Sequence, residues 1–189
     1  MPTPASTAQR PPSGIVATTP RLILREFLPG DAPDLFHLNN DLEVLRYAGD
    51  DPFVDVADAL AFVHAYDNYA RDGYGRWAVL QRNDGTFLGW SGISRRPETG
   101  ETDIGFRFLR RAWGQGYATE SAQAGLYLGF EQFGLEHIIA RAEPGNHASL
   151  RVIEKLSFQP DVLHPVTDDG MLRFILHRAD WERRRRIHS

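Results

Sequence analysis

The chain has 189 residues, enough for one domain with a full core, and its apolar fraction of 42% and charged fraction of 24% are those of a soluble globular protein. A formal net charge of −4 speaks against general nucleic-acid binding, and no apolar run approaches the roughly 20 residues of a membrane helix, so neither a nucleic-acid nor a membrane partner is expected. The absence of cysteine excludes disulfides, thiolate metal sites and a cysteine nucleophile, and it fits a reducing, cytoplasmic compartment.

Residues 1–14 are rich in Pro, Ser, Thr and Ala, lack the apolar core of a signal peptide, and are expected to form a disordered tail. The domain is expected over 15–182, with a basic tail over 183–189. The run Arg183 to Arg186 reads as a solvated helix end or tail; contact with an acidic partner such as ribosomal RNA is the alternative.

A first strand is expected over 21–27, ended by Pro29-Gly30. Asp31 is a plausible N-cap for a short helix whose apolar side is Leu35, Phe36 and Leu38. Asp50, Asp51, Asp55 and Asp58 crowd the next segment. Asp55 can cap a second helix over 56–71, with Ala59, Leu60, Phe62, Val63 and Tyr66 on a helical period and Gly73 and Gly75 closing it. Strands over 77–80 and 87–93 flank Asn83-Asp84-Gly85, a hairpin turn signal. After a turn over 97–100, residues 101–108 complete an antiparallel meander. A glycine-bearing turn, Arg110-Arg111-Ala112-Trp113-Gly114-Gln115-Gly116, then opens a helix running to about residue 133. Its small residues Ala118, Ala122, Gly125 and Gly129 share one side and predict close packing on a sheet. A strand over 138–142, the Pro144-Gly145 break, a short helix over 148–156 and a hairpin of 162–166 with 171–177 around Asp168-Asp169-Gly170 complete the chain. This order predicts a mixed α/β sheet in one domain.

The glycine turn has the makings of an anion site. The first N–H groups of a helix lack intrahelical partners, and the helix dipole favours negative charge there. A P-loop would need Lys-Ser/Thr after the last glycine, where Tyr117-Ala118 stands. A dinucleotide fingerprint would need a small residue at Thr119 and a preceding parallel βαβ array, whereas this strand ends an antiparallel meander. By itself the turn is a phosphate site of unknown owner or merely a tight turn.

A second segment adds context: Asn146-x-x-Ser149 followed by Glu154-Lys155-Leu156-Ser157-Phe158. Together with Arg111-x-x-Gly114-x-Gly116 and the run Trp113 to Glu120, it resembles the GCN5-related N-acetyltransferase (GNAT) superfamily. It is most similar to the branch with the ribosomal-protein N-terminal acetyltransferases. The resemblance runs from the strand Pro20-Arg21-Leu22-Ile23-Leu24-Arg25 to Asp180-Trp181. One departure is Ser157, where the family usually has glycine; the turn there is open to alteration, while the cofactor site is expected to survive.

The resemblance implies a GNAT fold: a mixed, mostly antiparallel sheet with helices on both faces and a splayed central strand pair. It implies acetyl-CoA as co-substrate, no metal, and a primary amine as acceptor, either a protein N-terminus or a small molecule. It also allows a homodimer, dimers being common in this branch. Backbone N–H groups of Arg111, Ala112, Trp113, Gly114, Gln115 and Gly116, continuing into Tyr117, Ala118 and Thr119, would bind the pyrophosphate. The pantetheine arm would pair with Phe106, Arg107 and Phe108, and an N–H near Phe108 would polarise the thioester carbonyl. Gly105 is a candidate for a bulge redirecting that strand. Asn146 would bind the arm or serve as a helix cap; Ser149 would protonate the leaving thiolate or only line the helix start. The amine needs a base: Asp103 is the first choice and Glu101 the second, against surface strand charges as the alternative. Glu120 is expected to steady the turn. His37, His64, His137, His147 and His164 show no metal-ligand spacing. The acceptor is expected between the first two helices and the last hairpin. There the Asp50 to Asp58 segment attracts a cationic amine or merely caps a helix, and Trp90, Tyr47 and Phe53 are wall or core residues. Without cysteine, transfer within a direct ternary complex is expected; a non-catalytic acetyl-CoA sensor of the same fold is the alternative.

Overall fold

Alternation of apolar and polar residues builds one eight-stranded sheet in the computed structural model, which describes residues 14–187. The strands are β1 (Ile15–Thr18), β2 (Leu22–Arg25), β3 (Arg76–Gln81), β4 (Phe87–Arg95), β5 (Thr102–Phe108), β6 (His137–Ala142), β7 (Gln159–Pro160) and β8 (Leu172–His177). Their order is β1-β2-β3-β4-β5-β6-β8-β7, antiparallel throughout except for β5 against β6. The helices are α1 (Ala32–Asn39), α2 (Leu42–Leu45), α3 (Val56–Ala65), α4 (Asn68–Arg71), α5 (Tyr117–Tyr127), α6 (His147–Lys155) and α7 (Arg178–Ile187). The mixed α/β sheet and the meander of β3, β4 and β5 are as expected. The expected N-terminal tail lies, apart from Gly14, outside the described residues. Strand β1 was not foreseen; four residues carry too little periodicity to register.

Helix α5 uses its small face as predicted. Ala122 is fully buried, and a Cβ on Gly125 would stand 3.8–3.9 Å from Gly92, Ile104 and Trp77. On the opposite face, Arg107 of β5 bonds Asn39 at the end of α1. Asp55 caps α3 by accepting from the Asp58 amide at 2.8 Å. Asp31 sits at the N-cap position of α1, but its carboxylate instead takes both ends of the Arg25 guanidinium, at 2.6 and 2.7 Å, and the Leu28 amide at 2.8 Å.

Several expected elements are corrected. The helix over 56–71 is two helices: Tyr66 leaves helical geometry at ψ 92°. The break lets two phenols clamp β3. The Tyr66 hydroxyl accepts from the Arg76 amide at 2.6 Å, while the Tyr69 hydroxyl donates to the Arg76 carbonyl and accepts from the Phe27 amide at 3.2 Å. Burial raises both phenol pKa values, so both stay protonated. The helix expected to run to residue 133 ends as α5 and widens into a π-helical turn over Leu128–Gln132, with the Phe133 amide bonding the Leu128 carbonyl at 3.0 Å. The last hairpin is shorter than expected: Val166 bridges Leu172 around the turn at 168–170, but residues 162–164 are not a strand, because the Asp161 carboxylate accepts from the Leu163 and His164 amides at 3.0 and 3.2 Å and folds them into a turn. Strand β7 pairs further along β8, at Phe174 and Ile175. Gly105 is not a bulge: the β4–β5 register is unbroken from Gly89↔Phe108 to Arg95↔Thr102, and the bulge lies between β3 and β4 at Leu88-Gly89. Arg183 to Arg186, by contrast, are the solvated helix end that was one of the two readings: they continue α7, and Arg185 pairs with Glu131 at 3.0 Å.

Candidate active site

The site begins where two parallel strands part. Strands β5 and β6 pair only at Asp103↔Ile139 and Ile104↔Ala140, and beyond them the strands diverge. The Leu109 amide bonds the Leu88 carbonyl at 2.9 Å, which marks that pair as hydrogen-bonded. Stepping by two along the register makes Trp90/Arg107 and Gly92/Gly105 hydrogen-bonded pairs as well. The backbone groups of Phe106 and Phe108 therefore turn away from β4, into the cleft. Of these, the Phe108 carbonyl receives the Trp113 indole N–H at 2.7 Å. Arg107 differs from its neighbours: its backbone faces β4, and its side chain leaves for Asn39 at 2.7 Å and Asp50 at 2.5 Å, stacked over Trp90 at 5.2 Å.

At the end of β5 a single 3₁₀ turn, Arg110–Ala112, leads into the glycine turn. Gly114 and Gly116 take φ of 73° and 81°, and Gly116 is the N-cap of α5. The Glu120 amide makes the first bond of the helix, to the Gly116 carbonyl, so the amides of Tyr117, Ala118 and Thr119 have no intrahelical acceptor. A Cβ on Gly114 would meet nothing within 4 Å, and one on Gly116 would meet only Arg21, at 3.5 Å. The turn is thus an open backbone cradle at the positive end of a helix, and it fits a pyrophosphate. The Arg111 side chain bonds the Phe87 carbonyl at 2.8 Å, so Arg111 meets a ligand through its backbone.

The cradle is braced from the turn between β1 and β2. Arg21 donates to the Gln115 carbonyl at 3.0 Å and to Glu120 at 2.6 Å, and Thr19 donates to Glu120 at 2.6 Å. Burial raises the Glu120 pKa, but the bonds from Thr19 and Arg21 outweigh it and hold the carboxyl below its ordinary value. Glu120 therefore steadies the turn, as expected, and Arg21 and Thr19 are the partners that sequence reasoning missed.

Across the cleft, Asn146 is the N-cap of α6, its side-chain oxygen accepting from the Ser149 amide at 3.1 Å. The capping role is thus real, and it leaves the Asn146 amide nitrogen uncommitted to the cap. Tyr47 lies against this mouth: a Cβ on Gly145 would stand 3.3 Å from its ring. Phe53 packs instead against Phe62, at 5.7 Å between ring centres.

Asp103, Gly105 and Arg107 of β5 and Ile139 and Arg141 of β6 share the face opposite α5. Asp103 is 7% exposed and bonds Arg76 through Oδ1 at 2.5 Å; its Oδ2 stands 3.7 Å from both Arg96 and Arg141. Arg76 also lies over Trp90 at 5.6 Å, and its guanidinium carbon is 2.8 Å from where a Gly105 Cβ would be, so the guanidinium occupies the space that the missing side chain leaves. Glu101 is on the same face but bonds Arg173, which Asp161 also holds. The two candidate bases thus sit in separate ion pairs. Arg76 and Arg141 were missed because only the sheet register brings them to Asp103. Three of the four acidic side chains in that segment are spent locally: Asp50 on Arg107, Asp55 on its cap and Asp58 on the Val54 amide at 3.1 Å.

A mixed sheet that splays between two parallel strands, with a braced glycine cradle opening a helix at the end of the first, defines an acyl-CoA-dependent transferase fold. The comparisons narrow it. Residues 21–159 match the Acetyltransferase (GNAT) domain family. The chain is 31% identical over 147 residues to the uncharacterised N-acetyltransferase p20 of Bacillus licheniformis, covering 77% of this chain and 83% of that one. A crystal structure of an acetyltransferase from Agrobacterium tumefaciens superposes with a TM-score of 0.75 at 26% identity, covering 85% of this chain and 93% of that one. Spermidine N-acetyltransferase from Vibrio cholerae, solved with CoA and spermine, shares the fold with a TM-score of 0.72 at 15% identity, over 87% and 99% of the chains. The chain belongs to the GNAT acetyltransferase family, whose chemistry is acetyl-CoA-dependent acyl transfer.

Proposed function

We propose that this protein transfers an acetyl group from acetyl-CoA directly to a primary amine, without an acetylated enzyme intermediate. The observation that carries the reading is the continuous backbone track from the cleft-facing groups of Phe106 and Phe108 to the cradle at 111–119. Acetyl-CoA supplies an activated thioester. The cradle holds its pyrophosphate, Phe106 and Phe108 pair with the pantetheine arm, and the Asn146 amide nitrogen closes the arm from the β6 side. The Phe108 N–H polarises the thioester carbonyl.

Asp103 receives the amine proton through Oδ2, the oxygen that Arg76 does not take. An α-amine needs little help, since its pKa is about 7.7–8.0. Glu101, bound to Arg173, is the second candidate. Ser149, whose hydroxyl makes no hydrogen bond among the described residues, protonates the departing thiolate. The acceptor enters from the face of α1 and the last hairpin. A protein N-terminus and a small amine are both acceptors of the required chemistry.

Free-thiol release across peptides and small amines tests the reading. Asp103→Asn is expected to lower the rate at least tenfold and to flatten its rise with pH; an unchanged profile removes Asp103 as the base. Acetyl-CoA binding without release for any acceptor would leave a binding module in place of an enzyme.

A further inference from the structure

The acceptor face is lined by arginines, and Arg141 among them makes ion-pair contacts but no side-chain hydrogen bond among the described residues. The Arg141 side chain is only 17% exposed, and it is held by contacts at 3.7 Å to Asp103 and Asp169, both too long for hydrogen bonds. Its Nε is buried without a hydrogen-bond partner among the described residues. A buried guanidinium normally has its fork of donors satisfied, because unmet donors are costly in a low-dielectric setting. Arg141 is also the first residue of β6 beyond the paired stretch, level with Gly105, so it stands at the opening of the splay. Arg96 reaches the same Asp103 oxygen from the other side, also at 3.7 Å.

Asp103 Oδ2 therefore lies between two guanidinium groups with neither hydrogen-bonded to it. Such a pairing of one carboxylate oxygen and unspent guanidinium donors is complementary to a molecule carrying an amine and a carboxylate a few bonds apart. The amine takes Asp103 Oδ2 and the carboxylate takes Arg141. A dianion is disfavoured by Asp103, and a polyamine by Arg76, Arg96 and Arg141. We propose that Arg141, assisted by Arg96, forms a carboxylate subsite and that the acceptor is a small amino acid-like amine. This inference rests on the acetyl-transfer reading above and names its substrate class. A protein N-terminus, whose first carboxylate is an amide, would not use the subsite.

The test compares L-α-amino acids with their α-carboxamides in the wild type, Arg141→Gln and Arg141→Lys. Acid and amide differ in amine basicity, so the quantity read is the change in their kcat/KM ratio between proteins, which cancels intrinsic reactivity. The ratio is expected to fall at least tenfold in Arg141→Gln and less in Arg141→Lys, which keeps the charge but loses the planar fork. Arg96→Gln should lower it by a smaller factor. A ratio within twofold of the wild type in Arg141→Gln overturns the subsite, whatever the overall rate.

A second arm needs no turnover: calorimetric binding of N-acetyl-L-amino acids and their carboxamides. Tenfold tighter binding of the acids, lost in Arg141→Gln, supports the subsite even if no amine releases thiol, in which case the enzyme reading alone fails. Release from amides with no Arg141-dependent preference for acids preserves the enzyme reading and overturns the subsite. Acids that neither bind nor react also overturn it.

Discussion

Ser157 stands where a glycine would be easier, and replacing it measures how well the local geometry is understood. It is the C′ residue of α6, at φ 71°, the one described non-glycine residue with positive φ. The Ser157 amide bonds the Glu154 carbonyl at 2.8 Å and the Phe158 amide bonds the Ile153 carbonyl at 3.2 Å, the paired bonds of a Schellman motif. Holding a side chain in the left-handed region costs about 1–2 kcal/mol. Glycine removes that strain but loses more chain freedom on folding, about 0.5–1 kcal/mol. Ser157→Gly should therefore stabilise by about 0.5–1 kcal/mol. With a urea slope near 2 kcal/mol/M, the midpoint rises by about 0.3–0.5 M, and Tm by about 1–4 °C. Ser157→Ala, which keeps the Cβ, should stay within about 0.5 kcal/mol of the wild type. Equilibrium urea unfolding checks both. A Ser157→Gly midpoint at or below that of the wild type, with an unchanged slope, would refute the strain argument.

Other positions give further tests. Glu120 has a folded pKa below its ordinary value, so its stabilising contribution is complete above about pH 4.3 and is lost as pH falls through the lower folded value. Glu120→Gln should cost about 1–2 kcal/mol at pH 7, limited by the half-exposed Arg21, and much less at pH 3; equal losses at both pH values in urea unfolding would contradict this. Gly89→Ala should cost about 3 kcal/mol or more, because its Cβ would stand 2.1 Å from the Arg107 carbonyl oxygen and 2.7 Å from the Phe108 Cα, both backbone atoms. A wild-type thermal midpoint for that variant would be inconsistent with the close approach of β4 and β5.

Features written in local residue types were legible in the sequence. Asn83-Asp84-Gly85 marks its turn, Asp55 its helix start, and the small residues of α5 their packing face, because each works within a few residues of itself. The glycine cradle and Asn146 were legible for the same reason. What escaped was decided at long range. Tyr66 and Tyr69 break a helix whose own pattern would continue, because their hydroxyls reach Arg76 on another element. Asp161 folds the start of a strand-like segment, at Leu163 and His164, into a turn while holding Arg173. The surroundings of Asp103 follow from the register of four strands: Arg76 comes from β3, Arg96 from just beyond β4 and Arg141 from β6. Sequence spacing alone places none of these groups together. Alternation along β6 would have put Arg141 on the same face as Ile139, and that was the one available hint.

The central claim is that the backbone from Phe106 through the start of α5 holds acetyl-CoA. Amide chemical-shift mapping of the wild-type protein titrated with acetyl-CoA tests it most directly. The largest shifts are predicted at Phe106, Phe108, residues 111–119 and Asn146. Saturable shifts confined to the groove between β1 and α5, at Val16, Gln123 and Tyr127, with the cradle unmoved, would contradict the account.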